Sequence, residues 1–267
     1  MRQVTTASVL GVDVAAIELP DAVQLIIDAA YDGESLSATA LAVHGLMTAD
    51  ADADQRSRLN GLDLVLPDGQ PVRWALNWLH DLDLKDRVAG PDLMSAVCAA
   101  AAKHSLPIFL LGSTKETLAR LSQELKGKFE GIHVAGTLSS RFRVATEEER
   151  RQDLHLIEHS GARILMVGLG APRQEIWVYE NRHELDMPML AVGAAFDFLA
   201  GNLDRAPVWM RESGLEWLFR LGQEPRRLWK RYLLLNPLFL YRILSQKMGV
   251  DRDDPVLPAH PPSIRPG

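Results

Sequence analysis

Apolar side chains at Ala22, Leu25, Ile26 and Ala29 follow the i, i+3, i+4, i+7 spacing of a helix with one buried face, so residues 20–31 are predicted to be helical. The short apolar run at 39–43 then predicts a strand. From there the two patterns alternate: 62–66 as strand, 72–79 as helix, 92–103 as an Ala-rich helix and 107–111 as strand. Ser113-Thr114-Lys115-Glu116 has the S-x-x-E form of a capping box, which predicts a helix start and a helix reaching about residue 125. The unit repeats at apolar 163–167, a Gly168-Leu169-Gly170 turn, Pro172 in a favoured first-turn position and a helix to about residue 180. Residues 188–192 supply one more strand.

Such alternation requires crossover connections, which predicts an α/β fold: a Rossmann-like, largely parallel sheet flanked by helices, with ligands at the carboxyl ends of the strands. Beyond Pro207 the chain changes character. It becomes aromatic, basic and helical in pattern, and the tail from 251 onward holds five prolines and little apolar material. The expected organisation is a catalytic core over 1–204, a basic aromatic helical appendage over 205–249, and a Pro-rich disordered tail over 250–267. No repeat of 20 to 50 residues is present.

The whole chain of 267 residues carries a net charge of −6, which does not suit a nucleic-acid binder. That average conceals an asymmetry. Between Arg205 and Lys247 nine Lys or Arg face three acids, giving +6, so the remainder carries −12. Cys98 is the single cysteine, which excludes an intrachain disulfide and fits a reducing compartment. Asp13 and Glu18 interrupt the early apolar stretch before a signal-peptide core could form. Residues 232–241 are broken by Asn236 and Pro237 and are about half the roughly 20 residues a spanning helix needs. Lying on a membrane is compatible with this pattern; crossing it is not.

Leu66-Pro67-Asp68-Gly69 ends an apolar strand, so Asp68 stands where an acid can reach a ligand, as a turn aspartate or as a general base. Gly168-Leu169-Gly170-Ala171-Pro172-Arg173-Gln174 offers backbone amides and a helix N-terminus to phosphate. A nicotinamide fingerprint fails, since G-x-G-x-x-G would need glycine where Arg173 stands. Gln174 is free to bond a sugar or a base. Arg220, Arg227, Lys230 and Arg231 are spaced to share one helix face, either as a solvated basic helix or as a pyrophosphate site, because Arg bonds phosphate strongly and bidentately. The Asp50-Ala51-Asp52-Ala53-Asp54 run reads as a solvated face instead of a metal-holding D-x-D pair, and His44, at the edge of an apolar strand, lacks partners for zinc. Ser95, Ser113 and Ser213 lack the G-x-S-x-G elbow of a serine hydrolase.

At these residues the chain resembles the WecG/TagA/CpsF glycosyltransferases. The resemblance runs through Leu-Pro-Asp-Gly (66–69), Arg-Val-Ala-Gly-Pro-Asp-Leu (87–93), Gly-Leu-Gly-Ala-Pro-Arg-Gln-Glu (168–175) and Val-Gly-Ala-Ala-Phe-Asp-Phe-Leu-Ala-Gly (192–201). Arg205-Ala206-Pro207, the segment 214–220, Glu224-Pro225-Arg226-Arg227 and Arg231-Tyr232 follow in the same order. It implies inverting transfer from a UDP-sugar to a polyprenyl-diphosphate-linked acceptor in cell-envelope or exopolysaccharide synthesis, with Asp68 as base. Gln174, with Gly168, Gly170 and Arg205, would line the substrate site; Arg220 and Arg227 would meet the nucleotide diphosphate, with Lys230 in the place of a further arginine. Neither metal nor other cofactor is implied. Relatives carry a Thr-x-Asn or Thr-Asn element where this chain reads Leu41-Ala42-Val43-His44.

The expected partners are thus a UDP-sugar, a lipid-linked saccharide and an anionic membrane surface met peripherally from the cytoplasmic side. Self-association as a homo-oligomer is left open, as is a catalytically silent nucleotide- or lipid-binding protein on the same scaffold.

Overall fold

The protein is described by a computed structural model over residues 4–250, so the tail expected to be disordered lies outside the described residues. An antiparallel hairpin, β1 (Thr6–Val9) and β2 (Val12–Ala15), opens the chain. Helix α1 (Leu19–Asp32) leads into β3 (Leu36–Leu41), followed by α2 (Val43–Ala51), α3 (Ala53–Asn60), β4 (Leu64–Pro67), α4 (Gln70–His80) and α5 (Gly90–Lys103). The second half runs β5 (Ile108–Gly112), α6 (Lys115–Lys128), β6 (Val134–Leu138), α7 (Glu147–Glu158), β7 (Ile164–Gly168), α8 (Arg173–Asn181), β8 (Pro188–Ala191) and α9 (Ala195–Leu199). The last elements are α10 (Val208–Glu212), α11 (Glu216–Gln223) and α12 (Pro225–Lys247). Strands β4-β3-β8-β7-β5-β6 form one parallel sheet, as the alternating pattern predicts.

Period-two alternation divides the strand residues between two cores. Leu36, Ala38, Leu64, Leu66, Ile108, Leu110, Ile164, Met166 and Leu190 face α1, α5, α6 and α9. Val65, Phe109, Leu111, Leu165, Val167, Met189 and Ala191 face the other way, toward the hairpin, α2, α3, α4 and α8. Cys98 is buried in the first core, and desolvation pushes its thiol up to about 12, consistent with a packing role.

Several local expectations need correction. The strand expected at 39–43 ends at Leu41, and His44 lies in the first turn of α2 with its ring beside the Thr48 hydroxyl. The cap of α6 is Thr114, whose hydroxyl accepts from the Thr117 amide at 3.2 Å. Ser113 cannot serve, because its φ of 60° is left-handed and a cap needs extended backbone. Asp50 is no solvated residue: its side chain is 2% exposed and pairs with Arg242 at 2.8 Å. Asp52 caps α3 through the Asp54 and Gln55 amides.

The C-terminal helices are also more closely joined to the core than an appendage suggests. Phe239 and Ile243 of α12 are buried among residues of the second core, beside the Asp50–Arg242 pair. Farther on, the Gln246 carboxamide donates to the Ser8 carbonyl at 2.9 Å and accepts from the Leu10 amide at 2.8 Å, joining α12 to the hairpin. Breaking a buried pair costs more than the pair itself contributes, so Arg242→Ala should lower the unfolding free energy by roughly 3 kcal/mol. Urea unfolding would show it as a lower midpoint at unchanged slope.

Candidate active site

Parallel strands place their carboxyl ends along one edge, and the residues that follow them build the site. Asp68 comes directly after β4, its amide donating to the Leu41 carbonyl at 3.2 Å. Opposite it, α5 begins at Gly90, which lies in close approach: a Cβ there would sit 3.4 Å from the Val192 carbonyl and 3.9 Å from Asp68 Oδ2. The Gly90 amide donates to the Asp68 carboxylate, as the positive end of a helix favours.

Asp68 as a residue is only partly covered, but its carboxyl is enclosed enough that burial dominates. Its pKa is raised to about 6, with Glu216 reinforcing the rise and Arg87, the Gly90 amide and Arg220 opposing it. Arg87 precedes α5 and pairs with Glu216, the first residue of α11, at 2.6 Å, the two side chains being 7% and 18% exposed. Arg205 pairs bidentately with Asp92 of α5, at 2.6 and 2.9 Å. Burial alone would raise the Asp92 pKa, yet the hydrogen bond and charge of Arg205 hold it below the usual range. These two links bring the C-terminal segment over the carboxyl edge. Between them a cavity of about 90 Å³ is lined by Gln70, Asp86, Arg87 and Asp92 on one side and Val208, Arg211 and Glu212 of α10 on the other.

The Nε donors of Arg205, Arg211 and Arg220 are buried without a hydrogen-bonding partner, and of the three residues Arg211 lines this cavity. Arg220 Nη2 is 3.9 Å from Glu224 and its guanidinium lies 5.4 Å over the Phe198 ring, which leaves donors to spare. Buried polar groups are ordinarily satisfied, so three such donors in one region mark a place for a ligand rich in acceptors.

Farther along the edge, Gln174 of α8 is 5% exposed. Its Oε1 accepts from the Gly170 amide at 3.2 Å, so that amide is already engaged, and Gly168 ends β7 with its carbonyl accepting from Ser113 at 3.0 Å. Among these, only Gly170 requires glycine for its backbone, at φ 78°.

Of Arg220, Arg227, Lys230 and Arg231, several of which were expected to share one helix face, Arg220 stands apart. The chain breaks at Glu224, at ψ 58°, ahead of Pro225, so Arg220 lies in the last turn of α11 while positions 227, 230 and 231 are together on α12. Lys230 is exposed, with Nζ 5.5 Å over the Trp229 ring. The side chain of Arg227 lies outside the described part of the structure. Arg87, Asp92, Arg211 and Glu216, to which the sequence reading assigned no role, complete the surroundings of Asp68. Their signal was present in the motif 87–93 and in the acid that opens the segment 216–220, but only the fold shows that they meet.

The protein is thus of the α/β class, with one acid whose carboxyl is enclosed lying beside cations at the carboxyl edge of a parallel sheet. The chain matches the Glycosyl transferase WecG/TagA/CpsF family over residues 7–253 and belongs to it. The family's glycosyltransferases act in cell-envelope polysaccharide synthesis.

Proposed function

We propose that the protein transfers a sugar from a UDP-sugar, with inversion, to the hydroxyl of an acceptor linked to polyprenyl diphosphate. The observation that carries this reading is the pairing of Asp68, whose pKa is raised to about 6, with partnerless arginine donors beside it. At neutral pH Asp68 is ionised and takes the proton of the acceptor hydroxyl as that oxygen attacks the anomeric carbon; the bond to the UDP oxygen breaks on the opposite face. Arg220 stabilises charge on the leaving diphosphate, and Arg205 holds α5 and the C-terminal segment together through Asp92. Arg227 and Lys230, which the resemblance adds, lie at the start of α12. Gln174 meets the donor from α8, beside Gly168 and Gly170. A positioned base contributes about 10²- to 10⁴-fold and electrostatic stabilisation can equal it, so arginines can stand in the role a metal has elsewhere. Among the described residues no group of three or more His, Cys, Asp or Glu is placed to hold a metal ion.

Purified protein assayed with a panel of UDP-sugars and lipid-diphosphate acceptors, with and without EDTA, tests this directly. Transfer that survives chelation supports it. UDP binding without any release of UDP from the donors would identify a silent binding protein instead.

The reading places the protein at an anionic membrane surface on its cytoplasmic side, and α12 supports this. No described helix is long and apolar enough to cross a membrane. Yet Leu233, Leu234, Leu240, Tyr241, Leu244 and Met248 are all exposed, at helical spacing with Pro237 along one face, with Lys230 and Trp229 at its start. Such a face, apolar with basic residues beside it, suits the lipid interface, where each cation adds about 1 kcal/mol. Leu240→Glu is expected to reduce sedimentation with anionic liposomes at low salt while leaving thermal stability unchanged; undiminished sedimentation would refute the assignment.

A further inference from the structure

The buried carboxyl of Glu175 has no place in the transfer chemistry, and it is the feature of the carboxyl edge that the proposed function leaves unused. Glu175 is 2% exposed, in the first turn of α8, under the sheet residues Thr39 of β3 and Ala191 of β8. Its Oε1 accepts two hydrogen bonds, from Gln174 Nε2 at 2.9 Å and from the Thr39 hydroxyl at 3.1 Å. Its Oε2 is buried and meets no partner. Neither Arg, Lys nor His is among the groups acting on it, and burial pushes its pKa up.

Oε1 is thus the doubly accepting oxygen of the carboxyl, and Oε2 is left unpartnered beside it. Gln174 is fixed from both ends. Its Oε1 takes the Gly170 amide, its Nε2 gives one hydrogen to Glu175, and a Cβ at Gly193 would come within 2.6 Å of that Oε1, so the glycine there lets the carboxamide lie against the end of β8. One N–H and one lone pair of Gln174 remain.

We propose that Glu175 is the positioning residue that holds the Gln174 carboxamide in the single orientation leaving that N–H and lone pair for the sugar donor. Glu175 touches neither donor nor acceptor; it acts through Gln174, and Thr39 holds the acid in turn. The inference rests on the transferase reading only for what Gln174 meets. The orientation itself is a property of the free protein.

The experiment uses the full-length protein and three variants, Glu175→Ala, Glu175→Gln and Glu175→Asp, with two readouts. The first is the pair of side-chain amide resonances of Gln174 in an ¹⁵N-edited spectrum, assigned by their loss in Gln174→Leu. Wild type should show a dispersed pair; Glu175→Ala should collapse it toward the position of a solvated amide, and Glu175→Gln, whose carbonyl can replace Oε1, should restore it. The second is the split between KM and kcat. Glu175→Ala should raise the donor KM at least ~10-fold with a smaller effect on kcat, and Glu175→Gln should recover most of that loss. Should Glu175→Ala not fold, Glu175→Asp, one methylene short of Gln174, is read in the same way. Unmoved Gln174 resonances in the Ala or Asp variant would overturn the proposal, as would a Gln variant as impaired as Ala, since its carbonyl offers Gln174 the same acceptor. If no UDP-sugar is turned over by wild type, the transferase reading fails, while the resonances still decide the positioning role.

Discussion

Asp68→Asn is expected to lower turnover by at least ~100-fold while UDP affinity stays nearly unchanged, because an amide fills the same space and cannot accept the proton. Wild-type turnover should itself fall about tenfold per pH unit below about 6, where Asp68 becomes protonated. The stability effect has the opposite sign. Asp68 holds its proton more tightly folded than unfolded, so its penalty is absent below about pH 4 and grows until about pH 6, where the folded carboxyl ionises. A rise from 3.8 to about 6 corresponds to about 3 kcal/mol as an upper bound. Asp68→Asn should therefore be more stable than wild type at neutral pH and equal to it near pH 4. A pH–rate profile together with thermal melts at both pH values checks this, and near-normal turnover in the Asn variant would remove Asp68 from the role of base.

The second large effect is expected at Arg220. Its guanidinium is directed by the Phe198 ring and acts on Asp68 from α11, while its Nε waits without a partner. Arg220→Ala removes a charge that acts most strongly as the diphosphate leaves, so turnover should fall about 10²- to 10³-fold, with weaker UDP binding as a smaller part of the loss. Arg220→Lys should rescue poorly, since an ammonium cannot reproduce the planar fork. Single-turnover rates and calorimetric UDP titrations separate the two contributions. A loss confined to UDP affinity would make Arg220 a ground-state binding residue.

The parallel sheet was legible where strand and helix periods alternate, over 62–125 and 163–192. Strand β6 and helix α7 were not read, since β6 is a half-buried edge strand without a continuous apolar run and α7 is largely charged. Residues 39–43 were legible only in part, because Val43 continues the apolar run and only the chain's turn into α2 ends the strand. The hairpin β1–β2 escaped notice, since four-residue strands around a Leu10-Gly11 turn leave too short a pattern to read. Strand order depends on pairings far apart in sequence. In the site, Asp68 stood out at a strand end, whereas the partners of Arg87 and Asp92 lie more than a hundred residues away and one charged residue says nothing of its mate. Glu175 was hidden for the opposite reason: in sequence it is an ordinary acid in a helix's first turn, and only the surrounding burial makes it unusual.

The clasp between Gln246 and the Ser8 and Leu10 backbone bears on how the molecule comes to exist. The hairpin leaves the ribosome well before the groups that complete its shelter, Gln246 with Phe239 and Ile243. At about 5–20 residues per second, the intervening 230 or so residues take roughly 10–50 s to make. Until residues 225–247 have been made, the nascent chain lacks the α12 side chains that cover part of the hairpin side of its sheet. Arg220 and Glu216 come in with the same late segment, so a chain that stops short of it has Asp68 and Arg87 at the sheet edge but not the charges that pair with them from α11. Completion of the core and completion of the site are one event in the life of each molecule.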